Sequence, residues 1–190
     1  MYFGIDYGSK LAGTTSICFS ENSLLYVFQS QKKQDGNKFI HYWIKLKKPE
    51  LAFIDAPLSL PGIYTGEGTD YFYRKCDLEV KGMSPMFIGG LTARAIKLKN
   101  ELTLYNCRLI ECYPRQLVNV LFGKKAPDYG KKWGIDKFLK ILNTKIPFPF
   151  SDMISSWHMI DAVLAWLTGY RYNNNYALKY GEEREGLIYV

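Results

Sequence analysis

The stretch Tyr2–Gly8, YFGIDYG, decides how the chain begins to fold. An apolar run, Tyr2–Asp6, ends in a carboxylate and is closed by Tyr7-Gly8, the pattern of a strand leaving a core into a tight turn. Leu11–Phe19 (LAGTTSICF), rich in Thr, Ile and Phe, reads as a second strand, and Ser23–Gln29 (SLLYVFQ) as a third, with Glu21-Asn22 turning between them. Short connections make these three an antiparallel meander.

Helical signals follow. Gly36–Lys47 carries a stripe of Phe39, Trp43, Ile44 and Leu46, and Pro49 stops it. Leu51–Asp55 (LAFID) is a fully apolar run ending in an acid, the signature of a central strand buried on both faces. Residues 59–90 form a loop-rich, glycine-rich insertion of the length that usually carries function. Leu91–Tyr105 predicts a helix, Cys107–Tyr113 a strand closed by Pro114, and Gln116–Phe122 and Ile135–Asn143 two short helices. Ser151 is the expected N-cap of a long helix, Asp152–Tyr170, and Gly186–Val190 an expected edge strand. The fold class expected is α/β: a mixed five-stranded sheet, three antiparallel strands then parallel ones, flanked by helices, in a single domain spanning 1–190.

Composition agrees with a globular chain and removes other classes. The 190 residues are 47% hydrophobic and 23% charged, too apolar for disorder. No run of about 20 apolar residues predicts a membrane span. The opening residues lack a secretory pattern, so a cytoplasmic location is expected. The four cysteines, at 18, 76, 107 and 112, form no C-x-x-C pair and read as separate buried thiols. A net charge of +7 points to anionic partners, nucleic acid first among them. Oligomeric state, a homodimer included, stays open.

Four acids stand where an apolar element should end or hide them. Asp6 and Asp55 end strands, Glu111 follows Leu109-Ile110, and Asp161 interrupts the helical run 159–167. A carboxylate in such a place must be paired, face an opening or hold a cation. Converging acids repel one another, and one or two Mg²⁺ or Mn²⁺ ions would relieve that. His158, three residues before Asp161, shares its helix face and can ligate or move a proton. Lys10 in the first turn, Arg74, Arg115, and the lysines of GKKAPDYGKKWG (Lys124, Lys125, Lys131 and Lys132) are candidates to hold phosphate.

Gly4-Ile5-Asp6-Tyr7-Gly8 with Gly13 and the following hairpin resembles the opening of RNase H-fold enzymes. The stretch Ile54–Pro61 (IDAPLSLP), with Arg74–Asp77 (RKCD), Glu111–Pro114 (ECYP), His158–Ala162 (HMIDA) and the tail 181–188, resembles the predicted nucleases called domain of unknown function 429. The resemblance implies an RNase H-like sheet and metal-dependent phosphodiester hydrolysis. It places Asp6, Asp55 and Asp161 as the metal-holding acids of the first strand, fourth strand and last helix. It departs from resolvases of that fold in having Asp55 rather than glutamate, and His158 in place of a second helical carboxylate. Glu111 falls outside the general pattern and is expected as a fourth ligand. Two other function classes fit part of the sequence: a nucleotide-binding phosphotransferase of the actin or sugar-kinase type, and a non-catalytic nucleic-acid-binding protein on the same fold.

Overall fold

A computed structural model describes residues 1–123 and 128–190. Its centre is a five-stranded mixed sheet in the order β3-β2-β1-β4-β5. Strands β1 (Tyr2–Asp6), β2 (Ser16–Glu21) and β3 (Leu24–Gln29) form the expected meander, turned at Asn22 and Ser23, both at positive φ as a two-residue hairpin loop requires. Strands β4 (Leu51–Asp55) and β5 (Arg108–Glu111) add in parallel, β4 beside β1 and β5 at the edge.

One face of the sheet is covered by α1 (Gly36–Lys47) and α3 (Gly89–Leu102). Phe39, Ile40, Ile44, Ala95 and Leu98 pack there on Phe3, Ile5, Ile17 and Ile54. Helix α1 keeps its expected bounds because Asp35 caps it, accepting from the N–H groups of Asn37 and Lys38, and Lys48 ends it at positive φ. The other face is covered by α6 (Trp157–Asn173), supported by α4 (Pro114–Phe122) and α5 (Ile135–Leu142).

Helix α6 starts later than expected. Ser156, not Ser151, is its N-cap, accepting from the Met159 N–H; the chain at Ser151 still runs along the sheet's edge, its N–H bonded to the Leu25 carbonyl and its hydroxyl donating to Asp152. Ten consecutive or near-consecutive residues of α6, from Met159 to Gly169, are buried, so it runs through the core. It lies directly on β1 at Gly4: a Cβ there would stand 2.1 Å from the Trp166 nitrogen and 2.3 Å from the Ala162 carbonyl oxygen. Only glycine permits that approach.

The insertion at 59–90 carries a 3₁₀ turn (Gly62–Thr65) and α2 (Lys75–Val80). The C-terminal segment does not extend the main sheet as an edge strand. Instead β7 (Gly186–Tyr189) pairs with β6 (Lys179–Glu182) in a separate hairpin, joined to the end of β5 by one bridge, Cys112 to Tyr189. The sequence did not mark β6, whose KYGE is short and polar. All four cysteines are buried free thiols. Among the described residues no helix is long and apolar enough to cross a membrane.

The α6–β1 contact yields a stability test. Gly4→Ala should lose about 3 kcal/mol by forcing the helix off the strand. Gly90→Ala, in α3 with open space around it, should be neutral or stabilising by up to about 1 kcal/mol. Chemical denaturation of both variants measures the contrast.

Candidate active site

The pleat and the register bring two acids together. Asp6 and Asp55 are direct partners across the parallel β1–β4 pair, so both project to the same face at strands about 4.8 Å apart. That face is α6's. The contact at Gly4 sets the N-terminal turns of α6 over the ends of these strands, and His158 and Asp161 descend from them. His158 Nδ1 lies 2.8 Å from Asp6 Oδ2. The Tyr129 hydroxyl donates to Asp161 Oδ1 at 2.5 Å. No donor among the described residues reaches the half-buried Asp55, whose pKa is raised by burial and by the charges of Asp6, Asp161 and Glu111.

The electrostatics follow. Burial raises the Asp6 pKa, and the His158 hydrogen bond works against it. Burial and the Asp6 charge lift Asp161 to about 7, with Tyr129 opposing. Asp55 is pushed well above the carboxylate range, first by burial and then by Asp6 and Asp161. His158 is raised by its bond to Asp6. Burial, then the Asp161 charge, keeps the Tyr129 phenol protonated and so a donor. Three carboxylates on one face, one of them without any hydrogen-bond donor, form an all-oxygen set that suits a hard divalent cation. Asp6, Asp55 and Asp161 are therefore the residues that could hold one. They are not drawn into a closed cluster: among the described residues no three His, Cys, Asp or Glu side chains stand in metal-holding geometry.

Glu111 stands near them but is differently partnered. Its register partner is Ile54, one residue short of Asp55, and Leu109, on the same side of the pleat, belongs to the α1–α3 core. Glu111 therefore faces away from α6. There it is held by a bidentate fork, Arg74 Nη2 to Oε1 at 2.7 Å and Nη1 to Oε2 at 2.8 Å, and by the Leu58 N–H at 2.8 Å. Burial pushes Glu111 upward and the Arg74 guanidinium pulls it back. Glu111 lines the same cavity as Asp6 and Asp55 and its charge reaches Asp55, but its two carboxylate oxygens are already taken by Arg74 and the Leu58 N–H.

Arg74 is likewise no phosphate clamp. It is 0% exposed, and its remaining donors go to Asp77 at 2.6 and 3.0 Å and to Ser59. Ser59 passes the network on to the Glu185 carbonyl, while the Glu185 carboxylate accepts from the N–H groups of Gly62 and Lys75. The insertion, α2, β5 and the C-terminal hairpin are thus locked through one buried guanidinium.

The other cations divide by distance from the acids. Arg115 lies over the Tyr129 ring, 5.3 Å from its centroid, and its charge reaches Asp161. Lys131 pairs with Asp128 at 3.2 Å, and its carbonyl accepts from the Trp157 indole, so its loop abuts the start of α6. Lys132 is exposed. Lys10 pairs with Asp35 at 3.5 Å beside α1 rather than at the acids. Lys124 and Lys125 lie outside the described residues. Tyr129 escaped sequence reasoning, since a tyrosine beside lysines in a polar loop carries no signal of a distant aspartate. Asp6 and Asp55 line one cavity of about 340 Å³, with Ala56, Pro57, Met83, Ile88 and Leu91 as its apolar side. No family model, curated protein or solved structure matches this chain.

Two outcomes follow. Arg74→Met leaves Glu111 and Asp77 buried without a counter-charge and should destabilise by about 3–5 kcal/mol in urea unfolding. The second concerns pH. Asp161 in the folded, metal-free protein holds a proton up to about 7 that an unfolded chain releases near the ordinary 3.8, so folding loses stability as pH rises through that window. Asp6 and Asp55 act with the same sign, and His158 does too, its raised value losing its contribution as pH climbs. Melting in chelator should therefore occur at higher temperature near about pH 5 than near about pH 8, with a flatter dependence in Asp161→Asn.

Proposed function

We propose that this protein is a metal-dependent nuclease on an RNase H-like fold, acting on nucleic acid in the cytoplasm. The observation that carries the reading is the convergence of Asp6, Asp55 and Asp161 on one face at the carboxyl ends of two adjacent parallel strands, with no donor among the described residues reaching Asp55. Three antiparallel strands followed by parallel ones, with helices on both faces, agree with what the family resemblance implies.

In this reading Asp6, Asp55 and Asp161 would hold Mg²⁺ or Mn²⁺, which would supply a water of lowered pKa and positive charge for the leaving oxygen. Tyr129 orients Asp161 by donating to its Oδ1. His158, with its side chain 43% exposed, is bonded to Asp6 through Nδ1, which leaves its second ring nitrogen for proton transfer. Arg115 and Lys131, with Lys132 beside it, supply positive charge on the α6 side for the phosphates.

Incubation of the purified protein with single-stranded, duplex and branched substrates tests the proposal. Cleavage should require Mg²⁺ or Mn²⁺. Loss of an outer-sphere partner alone costs metal sites about 10–100-fold, so Asp6→Asn, Asp55→Asn and Asp161→Asn should each lose more than about 100-fold. Full activity in Asp6→Asn would overturn the assignment.

A further inference from the structure

The insertion raises a ridge of aromatic side chains beside the acidic cavity. Phe72 is 53% exposed and Phe87 65% exposed, with ring centroids 5.8 Å apart, and Tyr73 meets Phe87 edge-on at 6.0 Å. Tyr64 and Tyr71, also exposed, form a second edge-to-face pair at 6.4 Å. Such rings are normally placed inside, and their grouping on one segment of a soluble face marks a contact surface.

The ridge is built rather than loose. Buried Ser84 donates to the Phe72 carbonyl and receives the Met86 N–H. Buried Thr92, within α3, donates to the Pro85 carbonyl at 2.7 Å. Asp70 accepts from the N–H groups of Phe72 and Tyr73. The Arg74 network anchors the segment's next residue to β5. The rings are therefore held out to solvent on a fixed backbone, with little ordering left to do on binding.

Its place relative to the acids identifies the occupant. Met83, Ile88 and Leu91, from the same segment and the start of α3, line the same cavity as Asp6 and Asp55. Cations stand on this side as well: exposed Lys81 directly precedes Gly82 and Met83, and Arg94 lies over the ring of Tyr7, another lining residue, at 4.7 Å. An apolar wall, stacking rings, basic groups at the rim and carboxylates beyond suit a ligand that is flat and apolar at one end and anionic at the other. A second copy of this chain fits poorly, since each copy carries +7.

We propose that the insertion binds the unpaired bases of a single-stranded nucleic acid, stacking them on Phe72 and Phe87 so that the adjoining phosphate is presented to Asp6 and Asp55. This rests on the nuclease reading and adds the substrate class. In a duplex the base faces are covered by their neighbours, whereas every unpaired base offers one, so the preference should be for single strands and largely indifferent to sequence.

The test compares two fluorescent probes of equal length and charge, an oligothymidylate and its abasic counterpart, binding to the Asp55→Asn protein in Mg²⁺. The oligothymidylate should bind about tenfold tighter or more, as one or two stacked bases allow. Adding Phe72→Ala and Phe87→Ala, both exposed positions, should remove that difference while the abasic probe binds as before and sedimentation is unchanged. Equal binding of the two probes, a base preference that survives the double substitution, or a change from dimer to monomer on making it would overturn the proposal. Metal-dependent cleavage by the unsubstituted protein is scored separately. Cleavage without base preference removes only this inference, and base-dependent binding without cleavage removes the nuclease reading.

Discussion

The contact of α6 with β1 at Gly4 is the constraint on which the site depends. A helix resting on a sheet through side chains is held about 10 Å off it, but here the backbone of Ala162 and Trp166 comes down onto a residue with no side chain. Gly169 allows the same closeness near the helix's other end, against the rings of Tyr2 and Phe53. Held this low, the first turns of α6 bring His158 and Asp161 to the level of the strand ends. The hydrogen bond of His158 to Asp6 is a consequence, as is the raising of Asp55 and Asp161, first by burial and then by the Asp6 charge.

Such an arrangement works against stability in the absence of a cation. Asp55 has neither a counter-charge nor a hydrogen-bond donor among the described residues, and every acid near it raises its pKa further. The contrast with Glu111 is instructive, because the two residues sit at the ends of adjacent strands. Glu111 is answered by a bidentate arginine and a backbone N–H, the treatment a structural carboxylate receives.

Much of this could be read from the chain. Apolar runs ending in Asp6 and Asp55 announce strands whose last side chain differs in purpose from the rest, and Asp161 within MIDAVLAWL is visible as an acid out of place. The meander and the parallel strands followed from loop lengths. What could not be read was parity and partnership. Whether Glu111 faces Asp55 depends on the β4–β5 register, a non-local property, and it pairs with Ile54 instead. Arg74 reads as a candidate phosphate holder because Glu111 and Ser59, which join Asp77 in occupying its guanidinium, are far away in sequence. Ser151 has the chemistry of a cap, yet the bridge of Phe150 to Leu25 keeps the chain there on the sheet's edge, and Ser156 takes the role. Tyr129 is a partner of Asp161 only in the folded chain.

The central claim is that Asp6, Asp55 and Asp161 are gathered to share one divalent cation. Diffraction from crystals soaked in Mn²⁺, recorded for its anomalous signal, tests it most directly. A peak bounded by those three carboxylates, lost in Asp55→Asn, is the result the account predicts. A peak at Glu111 or at a surface acid, with none near Asp6, would contradict it.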